Sequence, residues 1–218
     1  MDNVILIGGG GHAKVIIDAS QSMGGYSISG IIEKDERAVG GDVFGIPIIG
    51  TDKDIVDVLA QGITNAFIAI GSVKSGDNII RANLFCQTRA TGFNMINVIH
   101  NSAQISRYIT IGEGNAILAC AVVNAGARIG SDVIVNTGAI VEHDCKIADH
   151  VHIATGVRIC GGVSIGQYSH VGAGATIIQG IRIGSDVTIG AGAVVIDDIP
   201  DGATAVGVPA KIQPTKEE

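Results

Sequence analysis

Every sixth residue from Ile99 to Val195 is isoleucine or valine, seventeen times in succession and without an insertion. Glycine often follows, as in Ile111-Gly112, Ile129-Gly130, Ile165-Gly166 and Ile183-Gly184. The position four after the aliphatic is small or aliphatic, as in Ala121, Ala127, Val133, Ala139, Cys145, Val151 and Val157. A six-residue period marks a β-helix, whose short strands turn corners at regular intervals and bury a common core only by stacking. Three hexads close one triangular coil, so residues eighteen apart lie above one another at about the 4.7–4.9 Å spacing of paired strands. Seventeen hexads give between five and six coils, with His143 stacked between Ala125 and Gly161 and His152 beside His170. An unbroken run leaves no protruding loop to build a site. Chemistry must come from the faces of the coils, from the front of the chain or from a second copy.

The composition suits this reading. Ile and Val number 37 and 22 against 4 Leu, and the 32 glycines supply tight corners. Mean hydropathy is +0.43, yet no apolar stretch approaches the length of a membrane span, so the hydrophobicity is expected to face inward. A net charge of −7 with 3% aromatics argues against a nucleic-acid partner, which would need clustered cations and stacking rings. The start of the chain has neither a basic region nor a long apolar one, and a cytoplasmic location is the expectation. Cys86, Cys120, Cys145 and Cys160 form no CxxC pair and read as small core residues.

Ahead of the repeats, the apolar run Val4 to Ile7 leads into Gly8-Gly9-Gly10-Gly11-His12 and then a helix-compatible stretch. Apolar runs at 28–32, 46–49 and 66–70 alternate with helix-compatible segments at about 51–61 and 77–90. This βα alternation predicts a small Rossmann-like domain with a parallel sheet over residues 1–97, followed by a β-helix over 98–218. Gly8, Gly10 and Ala13 fit G-x-G-x-x-G/A, and Glu33 ends the second strand, where an acid would meet a ribose. Such a loop lets backbone N–H groups approach a phosphate at a helix N-terminus. The segment is long enough for one mononucleotide-binding half and not for the two that cradle NAD, which favours a nucleotide sugar over a dinucleotide; a purely structural glycine turn is the remaining alternative.

Among the histidines, His143 stands out because Glu142 and Asp144 flank it. A carboxylate that accepts an imidazole N–H sets the tautomer and favours the protonated ring, as a general base requires. His100, His150 and His170 read as solvated corner residues. A zinc site is the rival reading, since a carbonic-anhydrase-like class shares this architecture, but the spacing of 143, 150, 152 and 170 lacks a widely separated ligand followed by a close pair. No metal is expected.

Four segments together carry a resemblance: Ile5 to Lys14, Ile68 to Gly71, the turn Val141-Glu142-His143-Asp144, and the tail Ala205-Val206-Gly207-Val208-Pro209-Ala210-Lys211. They resemble the hexapeptide acetyltransferases of nucleotide-amino-sugar pathways, including bacillosamine and perosamine N-acetyltransferases and proteins described as sialic acid O-acetyltransferases, along essentially the whole chain. The resemblance implies a left-handed β-helix, a homotrimer and acetyl-CoA between neighbouring solenoids. It also implies a nucleotide sugar held by Gly10, Gly11, His12, Glu33, Lys34 and Gly71. His143 matches the catalytic base and Asp144 its acidic partner, while His152, Gly161, Ala173 and Ala191 match positions along CoA. Asp144 is one methylene shorter than the glutamate of the bacillosamine enzymes, so Glu142 stays open as the orienting group. Glu33-Lys34 replaces an acidic pair, and the segment from Ser72 to Asp77 looks longer than its counterpart.

The expected function is therefore acetyl transfer from acetyl-CoA to the amine of a nucleotide-linked sugar, a 4-amino-4,6-dideoxyhexose, by direct attack on the thioester. Transfer to a sugar hydroxyl is the nearest alternative. A non-catalytic nucleotide-binding assembly protein is the alternative from another class.

Overall fold

The computed structural model describes residues 1–72 and 75–214. In the front part, β1 (Asp2–Ile7), β2 (Tyr26–Ile32), β3 (Asp42–Val43), β4 (Ile46–Gly50), β5 (Asn65–Ile68) and β6 (Asn94–Met95) form one sheet in the order β3-β4-β2-β1-β5-β6. All neighbours are parallel except β3, which pairs antiparallel with β4 across the turn at Phe44-Gly45. That hairpin departs from the expected all-parallel sheet; two residues between tight turns are too short to register as an apolar run.

Side chains of β1 alternate between two layers because successive Cβ atoms point to opposite faces. Val4 and Leu6 pack with Ala13, Ile16 and Ile17 of α1 (Gly11–Met23), whereas Ile5 and Ile7 pack with Val58 of α2 (Ile55–Ala60) and Phe85 of α3 (Ser75–Thr91). Of the long segment from Ser72 to Asp77, residues 73 and 74 lie outside the described residues.

The solenoid has three parallel faces. Face one runs through the strand pairs 98–99, 116–117, 134–135, 152–153, 170–171 and 188–189. Face two runs from 104–105 to 194–195, and face three from 110–111 to 182–183. In each pair the second residue is the periodic aliphatic and points inward. From Ile117 onward these positions are buried, joined in one core by the small residues four places further on. The first residue of each pair points outward. From Gly114 to Gly192 every corner carries a left-handed residue, repeating at an eighteen-residue interval along each edge, as with Gly126, Asp144, Gly162 and Gly180 between faces two and three, and Asp132, His150, Tyr168 and Asp186 between faces three and one. Non-glycine residues tolerate this region poorly, with Asp and His among the better adapted.

Face one is not solvated. Its outward residues Val98, Ala116 and Ile134, with Leu118, belong to the same apolar cluster as α1 and β1, so the front domain and the solenoid share a core. This corrects the reading of the histidines. His150 and His170 are 8% and 5% exposed: Phe85 of α3 meets the His150 ring edge-on at 5.7 Å between centroids, and His170 packs against His152. His100 is partly covered and faces Asp18 of α1 at 3.8 Å. The cysteines divide likewise: Cys145 is buried, but Cys86 and Cys120 are exposed, contrary to expectation.

Candidate active site

His143 sits at the corner between faces two and three, one residue before the left-handed Asp144. That backbone turn swings the Asp144 carboxylate back onto the ring, and His143 Nδ1 lies 2.9 Å from Asp144 Oδ2. An ionised carboxylate can only accept, so Nδ1 carries the proton and Nε2 presents a lone pair. The hydrogen bond to Asp144, aided by the negative charges of Asp144 and Glu142, raises the imidazole pKa above its ordinary value. Glu142 is engaged elsewhere: its Oε2 accepts from Asn124 Nδ2 at 2.9 Å and from the His143 backbone N–H at 3.3 Å. Asp144 is therefore the group that orients the ring.

Two glycines make room for the dyad. A Cβ on Gly161, one coil further on, would stand 2.5 Å from His143 Nε2, and a Cβ on Gly126, one coil back, would collide with Asp144 Oδ1. Gly161, expected as a place where CoA passes the backbone, is thus also the clearance for the imidazole. Gly126 was not singled out from the sequence, although eighteen-residue stacking under Asp144 gives it away. Cys145 turns inward, its S–H donates to the Cys160 carbonyl at 3.2 Å, and burial pushes the thiol pKa up. It is a core residue and a poor nucleophile.

The front domain forms a second pocket, about 430 Å³, at the C-terminal ends of β1 and β5, lined by Gly8, Gly10, Gly11, His12, Glu33 and Gly71 among others. The five sequence-selected residues Gly10, Gly11, His12, Glu33 and Gly71 therefore come together. Lys34 lines an adjoining cavity of about 280 Å³ with Glu33, Asp52 and residues of α3. The Glu33 carboxylate folds over the glycine loop, accepting from Gly9 N at 2.5 Å and from Lys34 N at 2.9 Å. Burial, and secondarily the charge of Arg81, lowers the His12 pKa to about 4, so this ring is neutral at physiological pH, and its Nε2 has no protein partner.

Behind that pocket lies the seam between the domains. His152, an outward residue of face one, is 4% exposed and meets His170 edge-on, with ring centroids 4.9 Å apart. Its tautomer follows from its neighbours. Asn78 Nδ2 donates to the carbonyls of Tyr168 and Ser169, so Asn78 Oδ1 accepts the Ser72 hydroxyl at 2.5 Å. Ser72 Oγ must then accept from His152 Nδ1–H at 2.8 Å. Asn136 Oδ1 takes the Thr137 N–H, which turns Asn136 Nδ2 toward His152 Nε2 at 3.3 Å. Burial holds the His152 pKa well below its ordinary value, so the ring is neutral and offers a lone pair at Nε2. Beside it, fully buried Arg81 pairs with Asp132 at 2.8 Å and donates to the His150 carbonyl at 2.9 Å, while Asp132 also holds His150 Nδ1 at 2.9 Å. Ser72, Asn78 and Arg81 were not anticipated; only the folded front domain brings them to the solenoid.

These groups do not converge within one chain. In a triangular prism the corner bearing His143 and Gly161 is the vertex opposite face one, where the front domain and His152 sit. Ala173 and Ala191 stack on the corner between faces one and two, with Gly192 N bonding the Ala173 carbonyl at 2.8 Å.

Residues 3–88 match the family profile described as PglD N-terminal domain, and residues 162–197 match bacterial transferase hexapeptide (six repeats). GDP-perosamine N-acetyltransferase from Caulobacter crescentus, solved with CoA and GDP-perosamine, is 39% identical over 99% of this chain and 98% of its own, with a TM-score of 0.92. The chain belongs to the hexapeptide-repeat nucleotide-amino-sugar acetyltransferases. A second member of this family, the acetyltransferase domain of PglB from Neisseria gonorrhoeae FA1090 in complex with acetyl coenzyme A, is 39% identical over 97% of this chain and 98% of that one, with a TM-score of 0.87. WeeI from Acinetobacter baumannii AYE, at 23% identity and a TM-score of 0.71, shares the fold. No helix among the described residues is long and apolar enough to cross a membrane.

Proposed function

We propose that this acetyltransferase moves the acetyl group of acetyl-CoA to the amine of a nucleotide-linked 4-amino-4,6-dideoxyhexose, in a site shared between subunits of a homotrimer. The observation that carries the reading is the His143–Asp144 dyad, with Nδ1 committed to Asp144 and Nε2 free to take a proton. His143 accepts the proton that the attacking amine loses as its nitrogen bonds to the thioester carbonyl, and returns it to the departing CoA thiolate. Asp144 stabilises the imidazolium in between. The buried, raised thiol of Cys145 supports direct transfer over an acyl-enzyme. The front pocket at Gly10, Gly11, His12 and Gly71 would hold the nucleotide sugar. The small residues Gly161, Ala173 and Ala191 suit a pantetheine arm that needs close backbone approach. Because the dyad and the front pocket stand on opposite sides of one prism, the reading needs two copies. The 39% identity to an enzyme solved with GDP-perosamine supports the substrate class.

The test is CoA release across UDP-, GDP- and dTDP-linked 4-amino sugars, with free sialic acid as the hydroxyl acceptor. Turnover with at least one nucleotide amino sugar, with product mass increased by one acetyl group, is expected. Release with sialic acid alone would overturn the reading.

A further inference from the structure

Among the described residues, the front pocket has no positively charged side chain to match the diphosphate of the proposed ligand. A nucleotide diphosphate brings one negative charge on each phosphorus, but the pocket is lined by glycines, neutral His12 and the Glu33 carboxylate, which already occupies the Gly9 N–H. The adjoining cavity sets Lys34 against Glu33 and Asp52. Other described cations of this domain are committed: Arg81 to Asp132, Arg37 to Asp35, Lys53 to Glu36, Arg89 to Glu113, and Lys14 lies over the Phe44 ring. The N-terminus of α1 contributes only about half a unit of positive charge.

Face three of the solenoid has the opposite imbalance. Its outward residues include Arg128 and Lys146, in register on adjacent strands, an arrangement that is unfavourable for like charges. Arg182, two strands further, is neutralised by Asp198 at 2.8 Å, but Arg128 and Lys146 have no carboxylate partner among the described residues. Both line an open groove of about 460 Å³ with Gly130, Ala148, Ser164 and Gly166. Lys146 follows His143 by only three residues, at the same end of its strand as the dyad's corner.

We propose that Arg128 and Lys146 of one copy complete the diphosphate site for a nucleotide sugar seated on the front domain of another. The inference rests on the function proposed above. Two diphosphates are available in that reaction, and reach separates them. The sugar's diphosphate lies one pyranose ring from the reacting amine, whereas that of CoA lies a whole pantetheine arm from the thioester. An anion held beside His143 therefore fits the sugar.

Steady-state kinetics of Arg128→Gln, Lys146→Gln and the double variant test this on the full-length protein. The KM for the nucleotide sugar should rise 5- to 50-fold in each single variant and further in the double. The KM for acetyl-CoA should stay within twofold, and the free nucleoside diphosphate should inhibit correspondingly less. Melting temperature should not fall, since each substitution removes a repulsion between like charges in register. A raised KM for acetyl-CoA with that for the sugar unchanged would assign the ladder to CoA and overturn the proposal, as would no change in either. If wild-type enzyme acetylated only acceptors without a diphosphate, the functional reading would fail first, on the wild type alone, and the ladder would lose its ligand with it.

Discussion

The dyad turns on one backbone angle. Asp144 at φ +60° is what lets a residue adjacent in sequence reach round to the imidazole, so its role as partner depends on the corner as much as on its charge. Two predictions belong at this scale. Replacing His143 by Ala should lower kcat by about 10²–10⁴-fold, the usual worth of a general base, with acetyl-CoA affinity retained, as measured by steady-state turnover and calorimetric titration. Asp144→Asn removes the negative charge and replaces the charge-assisted hydrogen bond that raises the imidazole pKa with a weaker, neutral one. With His143 as the proposed base, the neutral imidazole is the active form, and kcat/KM should rise with pH through this ionisation. In the Asn variant that limb should move to lower pH while the plateau falls. A limb that stays in place would mean another group titrates. The sequence made His143 and its acidic neighbours legible, but could not choose between Glu142 and Asp144. The choice depends on which carboxylate the corner aims at the ring and on Asn124, one coil away, engaging the other.

Helix α3 is where reading by pattern ran short. As a helix-compatible segment at about 77–90 alternating with apolar runs, it is expected to pack on a sheet, and Phe85 does that; Asn78 and Arg81 instead cross to the solenoid corner at Asp132, His150 and Tyr168. Tyr168 stacks flat on His150, with centroids 5.2 Å apart, beneath that crossing. Nothing in a hexapeptide register says that one face of the prism will be covered, so histidines placed correctly in the coil were assigned to water. Removing Arg81 would leave Asp132 buried without its cation. Arg81→Ala should therefore cost about 3–5 kcal/mol of stability, read from chemical denaturation, and the loss should appear as an earlier transition of the front domain. Arg81→Lys should recover only part of it, since an ammonium cannot reach Asp132, the His150 carbonyl and Asn78 with one planar fork.

At the scale of the whole molecule, the prism separates the dyad from the front pocket that the proposed reaction must join. The periodicity disclosed the solenoid and its stacking, and the glycine loop disclosed the front pocket, but their relative placement required knowing which face the front domain covers. If the site is shared between copies, two inactive proteins should rescue each other. His143→Ala mixed with a variant crippled in the front pocket, Gly10→Phe, should regain a fraction of wild-type kcat once subunits exchange, because some junctions pair an intact dyad with an intact pocket. Mixtures that stay dead after exchange, verified by mass spectrometry, would place the whole site in one chain.

The core shared by α1, β1 and face one bears on how such proteins can be recombined. Exchanging residues 1–97 between two relatives, as the sequence boundary invites, would set a foreign α1 against Ala116, Leu118 and Ile134, which belong by position to the solenoid and by contact to the front domain. The unit that can be transplanted is discontinuous: the front segment together with the outward residue of every covered strand, including the face-one histidines. A chimaera that respects this seam keeps the shared core intact, whereas one cut at the linker carries a mismatched interface.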